Sequence, residues 1–177
     1  LSDYPNENGW HIRDNGMIWG YSGSYVDLVI PETVLGIEVK GIESKEFSEQ
    51  TYIKSITMPD CLTVIEDKAF YKCDSLTSVI APGVTDIGES AFYACRELDN
   101  VFLPKLQTVG KTAFRDSGSL EGFPFENLVK IPRMAFYRSD VFKVNLEKAT
   151  TIQDSAFANC TSLAEVSMPR IDTESNM

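Results

Sequence analysis

The sequence is poor in the side chains that carry most enzyme chemistry near neutral pH. It holds one histidine, His11, and four cysteines in 177 residues. A Ser-His or Cys-His nucleophile pair would have to use His11. That residue stands beside Trp10 and reads as a surface or packing residue. No G-x-x-x-x-G-K-[ST], H-E-x-x-H or G-x-S-x-G occurs. A zinc site needs ligands clustered at short spacing, and a lone histidine with cysteines as far apart as Cys73 and Cys95 does not supply it. Carboxylates are plentiful, yet no pair has the distinguishing context of a glycosidase. No catalytic residue, no metal and no cofactor is expected.

Basic residues are also few. Sixteen Lys and Arg face 26 Asp and Glu, a formal net charge of −10. An acidic surface repels phosphate backbones, so nucleic acid is not an expected partner. Long apolar runs are missing. Nothing approaches the ~18 consecutive apolar residues of a membrane helix, so no membrane insertion is expected. Leu1-Ser2-Asp3-Tyr4 is neither basic nor followed by an apolar run, so it does not read as an export leader.

What the sequence does have is repetition. An Ala-Phe pair recurs at Ala69-Phe70, Ala91-Phe92, Ala113-Phe114, Ala135-Phe136 and Ala156-Phe157, at spacings of 22, 22, 22 and 21. Phe47 adds an earlier copy, with Glu46 in place of the alanine. Other columns keep step. Four residues before the alanine position stand Ile42, Ile65, Ile87, Val109, Ile131 and Ile152. Three before those stand Val39, Leu62, Val84, Leu106, Leu128 and Ala149. Six after the phenylalanine come Ile53, Leu76, Leu98, Leu120, Phe142 and Leu163. Three further on come Ile56, Val79, Val101, Phe123 and Val166, with Val144 one position early in the fifth copy. A period in this range marks a solenoid, in which no unit buries its apolar side alone and stacked units bury it jointly. Six coils stacked at ~4.8 Å predict a rod roughly 30 Å long.

Within a coil, "LTSVIAP" (76–82) reads as a short strand, closed by Pro82 because proline cannot extend a ladder. Pro31, Pro59, Pro104 and Pro169 occupy the same place. "VTDIG" (84–88) is a second extended piece, and "ESAFYAC" (89–95) suits one tight helical turn. The fold predicted is a solenoid of short parallel strands, turns and short helical turns.

These residues resemble the BspA-type leucine-rich repeat family. Its pattern is roughly L-x-x-V-x-[IL]-P-x-x-V-x-x-I-G-x-x-A-F-x-x-C, and "LTSVIAPGVTDIGESAFYAC" (76–95) follows it almost position for position. The resemblance runs over about residues 26–171, and "GYSGSYVDLVIPETVLGIEVKGI" (20–42) looks like the entry segment before such repeats. It implies a leucine-rich repeat solenoid of six coils, each of about 22 residues. It also implies a bacterial extracellular or cell-surface location, and adhesion-type binding of proteins or glycans rather than catalysis. The copy at 121–142 departs from the pattern: it lacks the cysteine, and Glu126 stands where the proline belongs.

The ends predict a division into residues 1–27 as a cap, 28–171 as repeats and 172–177 as a polar tail. "WHIRDNGMIWGY" (10–21) reads as a β-hairpin turned at Asn15-Gly16. It serves either as a cap on the first coil or as an aromatic sugar platform of Trp10, Trp19 and Tyr21. At the other end Ile171 opens a seventh coil that fails at Glu174, which leaves an edge for a homodimer or for continuation of the stack. Cys73, Cys95 and Cys160 share one column with Ser117 and Ser139. Parallel side-chain directions suit a Cys73–Cys95 disulfide poorly, so free buried thiols are expected.

If Val79 and Val101 point inward, their neighbours point out. Ser55 and Thr57, Ser78 and Ile80, Asn100 and Phe102, Gly122 and Pro124, Lys143 and Asn145, and Glu165 and Ser167 then form one continuous face. The candidate binding residues are Ser78, Ile80, Asn100, Phe102, Lys143 and Asn145, for a protein or glycan ligand. Exposed Ile80 and Phe102 would be its apolar centre, unless Phe102 is covered. The alternative function is a structural spacer of a larger surface protein, assembling through its last coil.

Overall fold

A computed structural model describes residues 7–24 and 26–168. The chain opens with β1 (Trp10–Ile12) and β2 (Met17–Tyr21). Next come β3 (Asp27–Val29), the small hairpin β4 (Thr33–Val34) and β5 (Ile37–Glu38), and β6 (Gly41–Ile42). Three regular coils follow, each with a three-residue and a two-residue strand. These are β7 (Ser55–Thr57) with β8 (Val64–Ile65), β9 (Ser78–Ile80) with β10 (Asp86–Ile87), and β11 (Asn100–Phe102) with β12 (Thr108–Val109). The fourth coil has a 3-10 turn at Phe125–Asn127 and then β13 (Lys130–Ile131). β14 (Lys143–Asn145), β15 (Thr151–Ile152) and β16 (Glu165–Ser167) complete the stack. The polar tail, Pro169 and the seventh coil expected from Ile171 lie outside the described residues.

The strands stack in parallel at equivalent positions, for example Val79 on Val101 and Ile87 on Val109. The columns are the core. Ile42, Ile65, Leu62, Leu76, Phe70 and Phe92 are wholly buried. Ile152 and Val166 are exposed because they lie on the last described coil, where no further described coil covers them. Phe142 corrects one column. It is 57% exposed, while Val141 is buried. The residue missing from the fifth copy is therefore lost before Val141, not after Phe142, so Val141 takes the inward position and Phe142 turns out.

The segment around each Ala-Phe pair folds as linked turns. Two residues per copy adopt positive φ: Lys68 and Lys72, Ser90 and Ala94, Thr112 and Asp116, Met134 and Arg138. Such residues alternate with others so that every second N–H points along the stack. Lys68, Phe70 and Lys72 donate to the carbonyls of Glu89, Ala91 and Tyr93 on the next coil. The intervening Ala69, Tyr71 and Cys73 N–H groups close turns on residues three back. Every one of these backbone donors is thus used, which a buried turn requires. The phenylalanines stack as parallel, offset rings with centroids 5.2, 5.1, 5.2, 5.6 and 5.2 Å apart from Phe47 to Phe157. The cysteine column has a related task. Cys73 and Cys95 donate S–H to the Phe47 and Phe70 carbonyls, each at 3.1 Å, and both thiols are free. Burial pushes the Cys73 thiol up to about 12. Ser139 fills the column by donating to Phe136 O at 2.8 Å.

The N-terminal hairpin packs on the first coil. β2 pairs in parallel with β6, and Trp10 packs on Phe47 at 6.3 Å, edge to face. Gly16 adopts φ +87, and a Cβ there would lie 2.7 Å from Glu38 O, so the turn needs glycine.

Both β ladders break at the fourth coil. One sheet runs β1-β2-β6-β8-β10-β12 and stops, and another runs β3-β7-β9-β11 and stops. β13-β15 and β14-β16 are separate pairs. Pro132 accounts for the first break. Gly88 and Gly110, its equivalents, donate N–H to Ile65 O and Ile87 O, each at 2.8 Å. Proline has no N–H to give Val109. Its ring also enters a column where a Cβ on Gly110 would lie 2.4 Å from Glu89 N. The second break follows from "EGFPFEN" (121–127). Phe123 and Phe125 turn inward, with Phe123 edge-on between Phe114 and Phe136 at 5.0 and 5.1 Å. The turn ladder crosses this seam, through Phe114 N–H to Ala135 O at 2.8 Å and Asp116 N–H to Tyr137 O at 2.8 Å, and a single bridge ties β11 to the fourth coil, where Val101 N–H donates to Glu121 O at 3.0 Å. The widest phenylalanine spacing, 5.6 Å, is at the same place.

Phe92→Ala removes a wholly buried ring from the middle of this column. Urea unfolding of the variant is expected to show a loss of ~3–5 kcal/mol.

Candidate ligand-binding face

The three-residue strands each have one inward residue between two outward ones. β3, β7, β9 and β11 align Asp27, Ser55, Ser78 and Asn100 in one outward row, and Val29, Thr57, Ile80 and Phe102 in another. The first row is polar, and Ser55 donates to the Asp27 carboxylate at 2.7 Å. The second is an apolar stripe. Val29 is 67% exposed, Ile80 40% and Phe102 53%. Phe102 is not covered by a neighbouring coil.

Val29 is the residue that the repeat period missed. The β4–β5 hairpin lengthens the entry segment, so β3 and β7 stand further apart in sequence than later paired strands do. The signal was nevertheless local: "DLVIP", "SITMP", "SVIAP" and "NVFLP" share an inward-outward-inward order ending in proline.

Lys143 and Asn145 are also placed on the outward side, but on the separate β14-β16 pair. Lys143 forms an exposed ion pair with Glu165 at 3.0 Å. The structure thus brings Ser78, Ile80, Asn100 and Phe102 together and sets Lys143 and Asn145 across the seam from them. The expected single face is interrupted because Pro124 is buried and Gly122 adopts φ +82. The columns also leave out a surface row on another side of the coils. Tyr71 stacks on Tyr93 at 4.9 Å, and Arg115 lies between Tyr93 and Tyr137, 5.5 and 4.8 Å from their rings. Its sequence signal is tyrosine after the phenylalanine in three copies.

His11 is buried. Its Nε2 lies 3.3 Å from Ser22 Oγ, and its Nδ1 has no partner among the described residues. Burial lowers its pKa. The aromatic residues of the hairpin do not form an open platform, since Trp10 is 4% exposed and packs on Tyr21. Among the described residues no cluster of three or more His, Cys, Asp or Glu is arranged to hold a metal ion. No helix among them is long and apolar enough to cross a membrane.

The family model of the BspA type Leucine rich repeat region matches in six copies over residues 22–142 and 129–175. The chain belongs to this family. Its fold is similar to that of a leucine rich cell surface protein from Faecalibacterium prausnitzii A2-165, with a TM-score of 0.63 and 22% identity. That match covers 97% of this chain and 58% of the other, so this BspA-type chain spans little more than half the length of that relative. The T. pallidum leucine-rich repeat protein gives a TM-score of 0.62 at 21% identity, over 89% of this chain and 78% of the other. A leucine-rich repeat protein from Bacteroides ovatus gives 0.65 at 18%, over 94% and 53%. No curated protein matches the chain. As in other solenoids, stacking of the family's repeat turns equivalent residues into rows, which is how short strands build an extended surface.

The Glu46 carboxyl takes the alanine position of the first copy. It accepts the Tyr21 N–H beneath the hairpin. Burial, with Glu43 adding to it, raises its pKa to about 7. A group raised in the folded state stabilises the fold below its unfolded pKa and loses that contribution as pH rises through the folded one. Thermal melts of Glu46→Gln should therefore match the parent near pH 4.5 and exceed it increasingly up to pH 7.

Proposed function

We propose that this BspA-type chain is a non-catalytic binding module of an extracellular or cell-surface bacterial protein. Its ligand is a protein or a glycan, held on the outward side of the three-residue strands. The observation that carries the reading is the stripe of Val29, Thr57, Ile80 and Phe102. Exposed apolar side chains gathered on adjacent strands mark interaction sites more than scattered ones do. The polar row of Ser78 and Asn100 beside it supplies hydrogen-bonding rim groups, as binding surfaces require. The family and the cell-surface description of the F. prausnitzii relative support the location.

A second reading is a spacer that assembles through its last coil. Exposed Ile152, Val166 and Met168 favour it. Light scattering separates the two, because concentration-dependent dimers disrupted by Val166→Lys belong to the spacer.

A binding screen against matrix proteins and glycans is the direct test. Phe102→Lys should reduce capture of any ligand so found about tenfold or more, with an unchanged melting temperature. Undiminished capture would remove Phe102 from the site.

A further inference from the structure

The seam leaves a cleft beside β14. Its volume is about 360 Å³, and its lining includes Ser119, Glu121, Phe123, Phe125, Phe142 and Lys143. One wall is the free edge of β14. Leu146 N–H donates to Ser167 O at 2.7 Å and Glu165 N–H to Phe142 O at 3.2 Å. This register commits the even-numbered backbone groups of β14 to β16. The N–H groups of Lys143 and Asn145 therefore point the other way, to the place where a fourth-coil strand would lie. The other bank is partly taken, since Val101 N–H donates to Glu121 O at 3.0 Å. Met58 and Ala81 donate N–H to the next coil's Ile80 O and Phe102 O, whereas Leu103 N–H has no such acceptor among the described residues.

We infer that this cleft takes an extended segment of another polypeptide, which adds to the edge of β14 as the missing strand. It is a second site beyond the Val29–Phe102 stripe, and either can fail without the other. Three observations specify the occupant. Two N–H donors two residues apart on a strand are spaced ~6.6 Å, the spacing at which an extended chain offers carbonyls on one side. Phe142, 57% exposed, and buried Phe123 and Phe125 form an apolar wall for one side chain. The rim is acidic. Glu121 lines the cleft, and the Asp99 carboxylate accepts the hydroxyl of Ser119 at 3.2 Å. Lys143 is already paired with Glu165. Asp99, Glu121 and Glu165 thus set three carboxylates against one ammonium. The matching segment alternates an aromatic or branched apolar residue with lysine or arginine.

The test is a titration of 15N-labelled protein with an acetylated and amidated Lys-Val-Phe-Val-Lys peptide, read by amide chemical shifts. Saturable shifts of the Lys143 and Asn145 amides are expected, with affinity about tenfold lower for Glu-Val-Phe-Val-Glu. Phe142→Asp should weaken binding about tenfold without changing the melting temperature, and Val29→Lys, on β3 at the far end of the stripe, should leave it unchanged. The inference is overturned if those amides do not move at about 1 mM peptide. It is also overturned if the acidic peptide binds equally well, or if Val29→Lys abolishes the shifts.

Discussion

The whole stack hangs on the hydrogen bonds that each Ala-Phe turn donates to the turn above it. Phe47, Phe70, Phe92, Phe114 and Phe136 each pass an N–H to the equivalent alanine carbonyl, at 2.8–2.9 Å. The two β ladders are discontinuous, but these turns are not. They set the distance between coils, and the phenylalanine rings stack because that distance suits offset aromatic packing. The positive-φ residues make the alternation work. Several are long or polar side chains, such as Lys68, Lys72 and Arg138, which the turn places outside the core.

This division of labour explains how the fold tolerates so irregular a fourth coil. The irregular coil loses ladder hydrogen bonds on two of its sides, keeping a single bridge to β11 at Glu121. The third side retains its bonds, and the apolar volume is refilled by Phe123 and Phe125. A repeat protein is a sum of neighbour interfaces, so a weakened interface can be accommodated where a single-core domain would lose its packing. The same irregularity divides the outward face into a four-strand surface and a two-strand surface, with an acidic, aromatic-walled cleft between them.

Much of this was legible in the sequence, because a column that returns in every coil reports its environment several times over. The buried phenylalanines, the inward valines and isoleucines, and the exposed Ile80 and Phe102 all follow from period and alternation. What escaped were the departures from period. Val29 falls out of step with Thr57 because the β4–β5 hairpin intervenes. Phe142 and Val141 are both apolar, so the sequence alone did not say which of them faces in. Pro132 stands in the column of Gly88 and Gly110, and that substitution was the readable sign of the seam. The linked turns were harder to read, since "ESAFYAC" carries no glycine to mark its two positive-φ positions at Ser90 and Ala94. Which ligand the exposed rows recognise is set by side chains that do not recur, and a repeat says nothing about those.

Native-state hydrogen exchange tests most directly whether the turn ladder carries the stack. Phe114 and Asp116 donate across the seam, Phe70 and Phe92 donate within the regular coils, and the Lys143 and Asn145 amides face the cleft. Protection of Phe114 and Asp116 is expected to be comparable to that of Phe70 and Phe92, with Lys143 and Asn145 exchanging far faster. Phe114 and Asp116 exchanging as fast as Lys143 would contradict it.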